Sequence, residues 1–448
     1  MKKIAILGVI LLLAISFSAF AKGNTQSKSS SGKVELTFTI WGTEDERRTS
    51  QELVDGYNRL QDKVNITVRL IGWEIYVDTL NTLSIAGQMP DCGMMAEPAV
   101  LGFATRGLLA DSSQMYGAGD NRPLDSLAFK GPDGKVVAYS AANEILLLYY
   151  NTDMFTKANV PLPPKNLESA WTWDEFVAAA KKLTFDANGR TPNDAGFDRN
   201  RIVQYGAMVE NLPWQLEVWA LSNGGSFFSP DGKQVTIDNP RTIEAIQRVA
   251  DLHLVHNVAP LSAGLTDDGV PRSVIARTVA MTTNGQWNIG TSLFSAKKEG
   301  LNYGIGVLPY MGQKVTVNVG GPLVVFSQTK YPREAMDFIK WYSQAENCWG
   351  LIETGIWMPI HEHWYTNPEY TRKWVNNPAF PPYDDYVSAV ITPARTVSKP
   401  ASWYYTPNTD EFFTLLTSVL GPVWTGQTTA QQAITSNIAA LRRAHAGQ

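Results

Sequence analysis

The stretch VELTFTIWGTEDERRTSQELVDGYNRLQDKVNITVRL, residues 34–70, decides the architecture. Val34, Leu36, Phe38 and Ile40 alternate with polar residues, the period-two signature of a strand, and the run stops at Trp41-Gly42. Leu53, Tyr57 and Leu60 then recur at i, i+4 and i+7, which puts them on one face of a helix, and Ile66, Val68 and Leu70 alternate again. A strand, a helix and a strand in this order predict a right-handed crossover and a mostly parallel sheet. Ligands of open sheets bind beyond the carboxyl ends of the strands, where Trp41, Thr43 and Glu44 fall.

Downstream the alternation of strands and helices continues. Thr172-Trp173-Asp174-Glu175 is a capping box that opens a helix through Leu183, with Trp171 and Phe176 spaced as a hydrophobic staple. Asn239-Pro240 supplies the cap and first position of another helix, with Ile243, Ile246, Val249 and Ala250 on one face. Gly131-Pro132-Asp133-Gly134 and Ser229-Pro230-Asp231-Gly232 read as turns. Late strands are expected over 278–282, 303–308 and 323–326, the last feeding a helix after Pro332.

Upstream, Lys2 and Lys3 precede an apolar run from Ile4 to Phe20, and Ala19-Phe20-Ala21 has the small-x-small form of a cleavage site. Residues 1–21 are expected to be a signal peptide and 22–33, KGNTQSKSSSGK, a polar tether, so the mature chain should be exported to the periplasm or the outer face of the cytoplasmic membrane. The two cysteines, Cys92 and Cys348, lie far from the cut, which argues against lipid anchoring, and two in 448 residues cannot form a disulfide framework. Stability must come from buried apolar surface, and the length calls for two lobes. A net charge of -4 with scattered charges excludes a nucleic-acid footprint.

The chain lacks GxSxG, Walker A and a strand-following GxGxxG, and His361-Glu362-His363 lacks the HExxH spacing that sets two imidazoles on one helical face. No cofactor or metal is expected. Glycoside hydrolysis needs only two placed carboxylates, so a glycoside-active enzyme remains an alternative among 42 acids. The positive signal is aromatic. Fourteen tryptophans include Trp41, Trp73, Trp214, Trp287, Trp357 and Trp403 in polar, Gly- or Pro-containing contexts. A sugar presents hydroxyls at its edge and C–H groups on its faces, so a receptor needs planar polar groups beside aromatic rings. Such pairings recur at Trp41 with Glu44, at Asp91 near Glu97, at Asn143-Glu144, at Asn284-Gly285-Gln286-Trp287 and at Pro400-Ala401-Ser402-Trp403.

These pieces also occur in a familiar order. FTIWG, GQMPD (87–91), GLLAD (107–111), LLYYNTDMF (147–155), WTWDEFVAAAKKLT (171–184), LSNGGSFF (221–228), MTTNGQWNI (281–289), YGIGVLPYMGQ and VGGPLVVF resemble the extracellular solute-binding proteins of ABC sugar importers, the group that includes maltose- and maltodextrin-binding proteins. The resemblance implies an α/β Venus flytrap: two discontinuous lobes joined by three crossings and closing on a sugar. It places lobe one at 34–143 plus 320–360, lobe two at 144–319 plus 390–448, and a crossover region at 361–389. Crossings are expected near 143–148 and 317–321 and within 357–392, where Pro378, Pro381, Pro382 and Pro393 interrupt regular structure.

The resemblance further implies that Glu144 accepts sugar hydroxyl bonds and that Trp287 and Trp403 stack on sugar faces. Trp41, Glu44, Trp214 and Asp91 would complete the contacts, and Gly320 and Gly321 would let the backbone approach the ligand. The segment Cys92-Gly93-Met94-Met95-Ala96-Glu97 departs from the family's small apolar strand and leaves that subsite open. The expected partners are a sugar or oligosaccharide and the membrane permease of an ABC importer, with the receptor a monomer that touches no nucleic acid. A receptor for a peptide or polyamine is the competing reading.

Overall fold

Alternating side chains become alternating burial in the structure, a computed structural model that describes residues 32–41, 44–116, 122–261, 273–378 and 380–448. The leader, and the tether as far as residue 31, lie outside the described residues. Among those residues thirteen strands follow in chain order: β1 Val34–Ile40, β2 Val64–Leu70, β3 Cys92–Met94, β4 Ala128–Lys130, β5 Val136–Ser140, β6 Glu144–Asn151, β7 Phe185–Asp186, β8 Ile202–Val209, β9 Val279–Gly285, β10 Tyr303–Gly306, β11 Thr316–Val319, β12 Pro322–Val325 and β13 Ser398–Pro400. The helix Glu44–Leu60 connects β1 to β2, which pair in parallel from Val34↔Val64 to Ile40↔Leu70.

The strands form two sheets, one ordered β2-β1-β3-β12-β5-β4 and the other β13-β11-β6-β9-β8-β7 with β10 also on β6. The fold is therefore an α/β protein of two lobes, each discontinuous in sequence: β12 returns to the first sheet after β6–β11 have built the second. β6, EILLLYYN, is buried along its whole length, as a central strand covered on both faces must be.

The registers fix which ends of the two sheets meet. β6 leaves the first lobe at Glu144, Val319 at the end of β11 pairs with Glu144, and Pro322 at the start of β12 pairs with Ser140 at the end of β5. The crossings at 141–143 and 320–321 thus run side by side, tied by Ala141 N–H to Gly321 O at 2.8 Å, Ser140 Oγ to Gly320 O at 3.2 Å, and Asn318 Nδ2 to Asn143 Oδ1 at 2.9 Å. Gly320 has φ +153, and a Cβ there would lie 2.2 Å from Ala142 O, so the close approach demands glycine. β1, β2, β3 and β5 end at this hinge from one side, and β8, β9, β11 and β13 from the other.

Several local expectations change. The first crossing is shorter than 143–148, because β6 already begins at Glu144 and its apolar residues pair within the second sheet. The segment 357–392 is divided rather than interrupted by its prolines: it forms the short helices His363–Thr366, Pro368–Val375, Tyr383–Tyr386 and Thr392–Thr396, with a π turn over Val387–Ile391. The helix after Pro332 ends at Tyr342, and Cys348 occupies the N-cap position of the next helix, Trp349–Glu353. Cys92 and Cys348 are both buried and unpaired. The expected box at Thr172 forms, with Thr172 Oγ1 accepting from Glu175 N–H and Glu175 accepting from Thr172 N–H.

Candidate functional site

At the hinge side of the first sheet, Trp41 follows β1 and Trp73 follows β2. Trp41 meets Trp73 and Tyr76 edge-on, each with ring centroids 5.2 Å apart. Tyr76 is buried and its hydroxyl donates to Met94 O at 2.7 Å, which fixes the base of this cluster. Trp41 is half-buried, whereas Trp73 is 54% exposed and offers a ring to solvent. A Cβ on Gly321 would lie 3.2 Å from the Trp41 ring, so this glycine makes room for the indole beside the hinge. Glu44 begins the helix Glu44–Leu60, and its side chain lies outside the described residues.

Opposite, the ends of β8, β9 and β13 carry a second aromatic cluster. Pro213, preorganised for the first turn, starts the helix Pro213–Ser222 and places Trp214 at its second position. Trp214 lies 6.1 Å from Trp287 and 5.9 Å from Trp403, centroid to centroid, and such aromatic pairs contribute about 0.5–1.5 kcal/mol each beyond area burial. Trp214 and Trp287 are half-buried and Trp403 is buried.

The turn bearing Trp287 is built with little slack. Tyr149 Oη donates to Gly285 O at 2.8 Å, and Gln286 Nε2 donates to Gly355 O at 2.8 Å and Tyr386 Oη at 3.0 Å. A Cβ on Gly285 would sit 1.9 Å from the Trp287 ring, so the indole lies directly over this backbone and only glycine allows it. Asn284 Nδ2 donates to the buried Glu210 Oε1 at 3.1 Å, and Gln215 Nε2 donates to Glu210 Oε2. Glu210 thereby ties the end of β8 to the Trp287 turn.

Glu144 stands at the first residue of β6, buried between the two clusters' strands. Tyr149, Tyr365, Tyr386 and Tyr404 are near enough that its carboxyl, together with the larger effect of burial, pushes their phenols up. Gly320 and Gly321 lie in the neighbouring crossing.

The structure therefore gathers Trp41, Glu144, Trp214, Trp287, Gly320, Gly321 and Trp403 around one hinge. Asp91 is a correction. It precedes β3, at the end of that short strand away from the hinge and level with the middle of β1, and its carboxylate accepts from Thr37 N–H at 2.8 Å and Thr329 Oγ1 at 2.6 Å. It joins β1 to the segment after β12 instead of reaching a ligand. Sequence reasoning named Trp73 only as one of many tryptophans and passed over Glu210 and Glu217. Each had a signal: Trp73 follows a strand end, Glu210 ends a strand just before a proline-started helix, and Glu217 is an acid inside the apolar run PWQLEVWALS. Among the described residues, no group of three His, Cys, Asp or Glu is arranged to hold a metal, and no helix is long and apolar enough to cross a membrane.

Comparison with known proteins adds a family. A model described as bacterial extracellular solute-binding protein matches residues 52–382. A probable ABC transporter-binding protein of Deinococcus radiodurans is 26% identical over 304 residues, which covers 64% of this chain and 64% of that protein. The sn-glycerol-3-phosphate-binding periplasmic protein UgpB of Brucella melitensis is 28% identical over 258 residues, covering 56% of this chain and 55% of that one. The chain thus spans less than two thirds of the length of these curated relatives. Among solved structures, the ABC substrate-binding protein Lmo0181 of Listeria monocytogenes, in complex with cycloalternan, superposes with a TM-score of 0.73 at 21% identity, over 92% of this chain and 98% of that one.

Proposed function

We propose, from the premise that the chain belongs to the bacterial extracellular solute-binding protein family, that it captures a sugar between its lobes outside the cytoplasmic membrane and delivers it to the permease of an ABC importer. The observation that carries this reading is the pair of aromatic clusters at sheet edges that end on one hinge: Trp41 with Trp73 on one side, Trp214, Trp287 and Trp403 on the other. Rings of this kind accept the C–H faces of a sugar, and Glu144 beside them accepts its hydroxyls by charge-assisted bonds. A ligand that touches both lobes favours the closed arrangement by its differential contacts. The protein binds without converting its ligand, and acts as a monomer.

UgpB's name raises a phosphate ester as the competing solute. The carboxyl groups bonded to the aromatic-bearing turns, Glu210 and Glu217, favour a neutral polyol over a phosphate.

Melting curves with maltose, maltotriose and sn-glycerol 3-phosphate test the proposal, because a ligand of the folded state at 100 times its Kd stabilises by about 2.7 kcal/mol. A sugar should raise the transition and glycerol phosphate should not; the reverse result removes the sugar reading. Trp287→Ala should weaken the sugar by about 2 kcal/mol or more, as loss of a central aromatic anchor does. Glu144→Gln should weaken it less, and neither variant should shift the unliganded transition by much. Oligosaccharides incubated with the protein should be recovered intact, and cleavage would move it to the glycosidases.

A further inference from the structure

Glu217 is fully buried in the helix Pro213–Ser222, three residues after Trp214 and therefore on the same face of that helix. Its Oε2 accepts two hydrogen bonds from one residue of another element: Ser402 N–H at 3.1 Å and Ser402 Oγ at 3.0 Å. Its Oε1 is buried with no hydrogen-bond partner. Ser402 opens the single turn Ser402–Tyr404, and the next residue is Trp403, whose ring meets Trp214 at 5.9 Å. Burying a carboxylate with one oxygen unsatisfied is costly, and nothing else in this apolar helix calls for an acid.

We propose that Glu217 is a positioning residue, which clamps the Ser402–Trp403 turn onto the helix of Trp214 and so sets the gap between the buried Trp403 ring and the half-buried Trp214 ring at the site that takes the ligand. The clamp rests on the reading of this surface as the ligand site. Only an acceptor with two lone pairs in this place can hold the N–H and the O–H of Ser402 together. Burial pushes the Glu217 carboxyl up to about 7, so a neutral isostere reproduces the group well: Gln offers the same acceptor oxygen. Tyr405, after the same turn, is the titratable neighbour, and its phenol is pushed up by its own burial and then by Glu217.

The test compares Glu217→Leu, Glu217→Gln, Ser402→Ala, Trp403→Phe and Trp287→Ala in the full chain, by near-ultraviolet circular dichroism and by calorimetry with maltotriose as the probe. The part of the indole spectrum that Trp403→Phe removes should already be missing in Glu217→Leu and present in Glu217→Gln. Maltotriose affinity should fall about tenfold in Glu217→Leu and stay within about twofold in Glu217→Gln, as expected for losing or keeping bonds to a polar acceptor. A merely structural Glu217 would change the melting temperature and leave the indole signal intact. Retention of the Trp403 signal in Glu217→Leu, or its loss in Glu217→Gln, overturns the clamp. If Glu217→Leu does not fold, Ser402→Ala decides: it removes one of the two bonds and should reduce the signal in part, and an unchanged signal overturns the proposal. Trp287→Ala keeps the two claims separate, since maltotriose binding that ignores Trp287 refutes the site and leaves the spectral result to judge the clamp.

Discussion

The Glu217 carboxyl makes stability depend on pH. Burial raises it from an ordinary 4.5 to about 7, so between these values the folded chain holds a proton that the unfolded chain has released. Its contribution is fully present below 4.5 and is lost as pH rises through 7, an effect of roughly 3 kcal/mol for a shift of this size. The melting temperature should therefore fall between about pH 5 and about pH 8, and Glu217→Gln should fall distinctly less. Superimposable profiles for parent and variant would show that the group does not titrate there. Such a residue is hard to see in a sequence. PWQLEVWALS gives an apolar helix with one acid, but only the arrival of Ser402, 185 residues later, gives the acid a purpose. That Trp287 and Trp403 follow strand ends was legible, because both sit in polar, Gly- or Pro-containing turns. Asp91 was misread because Pro90-Asp91 was matched to a motif without asking which end of β3 it occupies.

At the scale of elements, a close joint holds β8 against the helix Trp173–Leu183. Gly206 in β8 faces Ala180, and a Cβ would lie 1.9 Å from the Ala180 carbonyl oxygen. Thr184 Oγ1 donates to that same carbonyl at 2.9 Å and accepts from Gly206 N–H at 2.9 Å, so helix and strand share one polar knot. Gly206→Ala should force the two apart and destabilise by about 1–3 kcal/mol, as overpacking does. Sugar affinity below the transition should be unchanged, since the joint sits within β8 and not at its hinge end. A variant as stable as the parent would mean that the helix shifts freely. The helix was legible from its capping box, while β8, IVQYGAMV, was not: its first half is partly exposed and its pattern carries no clear alternation. β1 and β2 were legible because their apolar residues alternate with polar ones, even though β1 is buried on both faces from Phe38 to Ile40.

For the whole molecule, Tyr404 is the contact to watch. It belongs to the turn after β13, yet its hydroxyl pairs with Ser140 Oγ at 2.7 Å and its ring stacks on Phe129 at 4.3 Å, both residues of the first sheet. This bond between lobes comes from the same turn, Ser402–Tyr404, that carries Trp403. Tyr404→Phe should cost the closed arrangement about 1 kcal/mol, and Tyr404→Ala more. Small-angle scattering of the unliganded Tyr404→Ala protein should give a larger radius of gyration, with affinity reduced in proportion to the lost closed population. Equal radii and equal affinities would remove Tyr404 from the balance.

The interleaved sheet order also has a consequence in time. β12 lies between β3 and β5 and is made some 180 residues after β5, so the first sheet remains two unjoined pieces until most of the chain exists. At about 5–20 residues per second, synthesis leaves that gap open for roughly 10–40 s. During this interval the N-terminal portion cannot close its own sheet, and the first lobe is completed only after most strands of the second have been made.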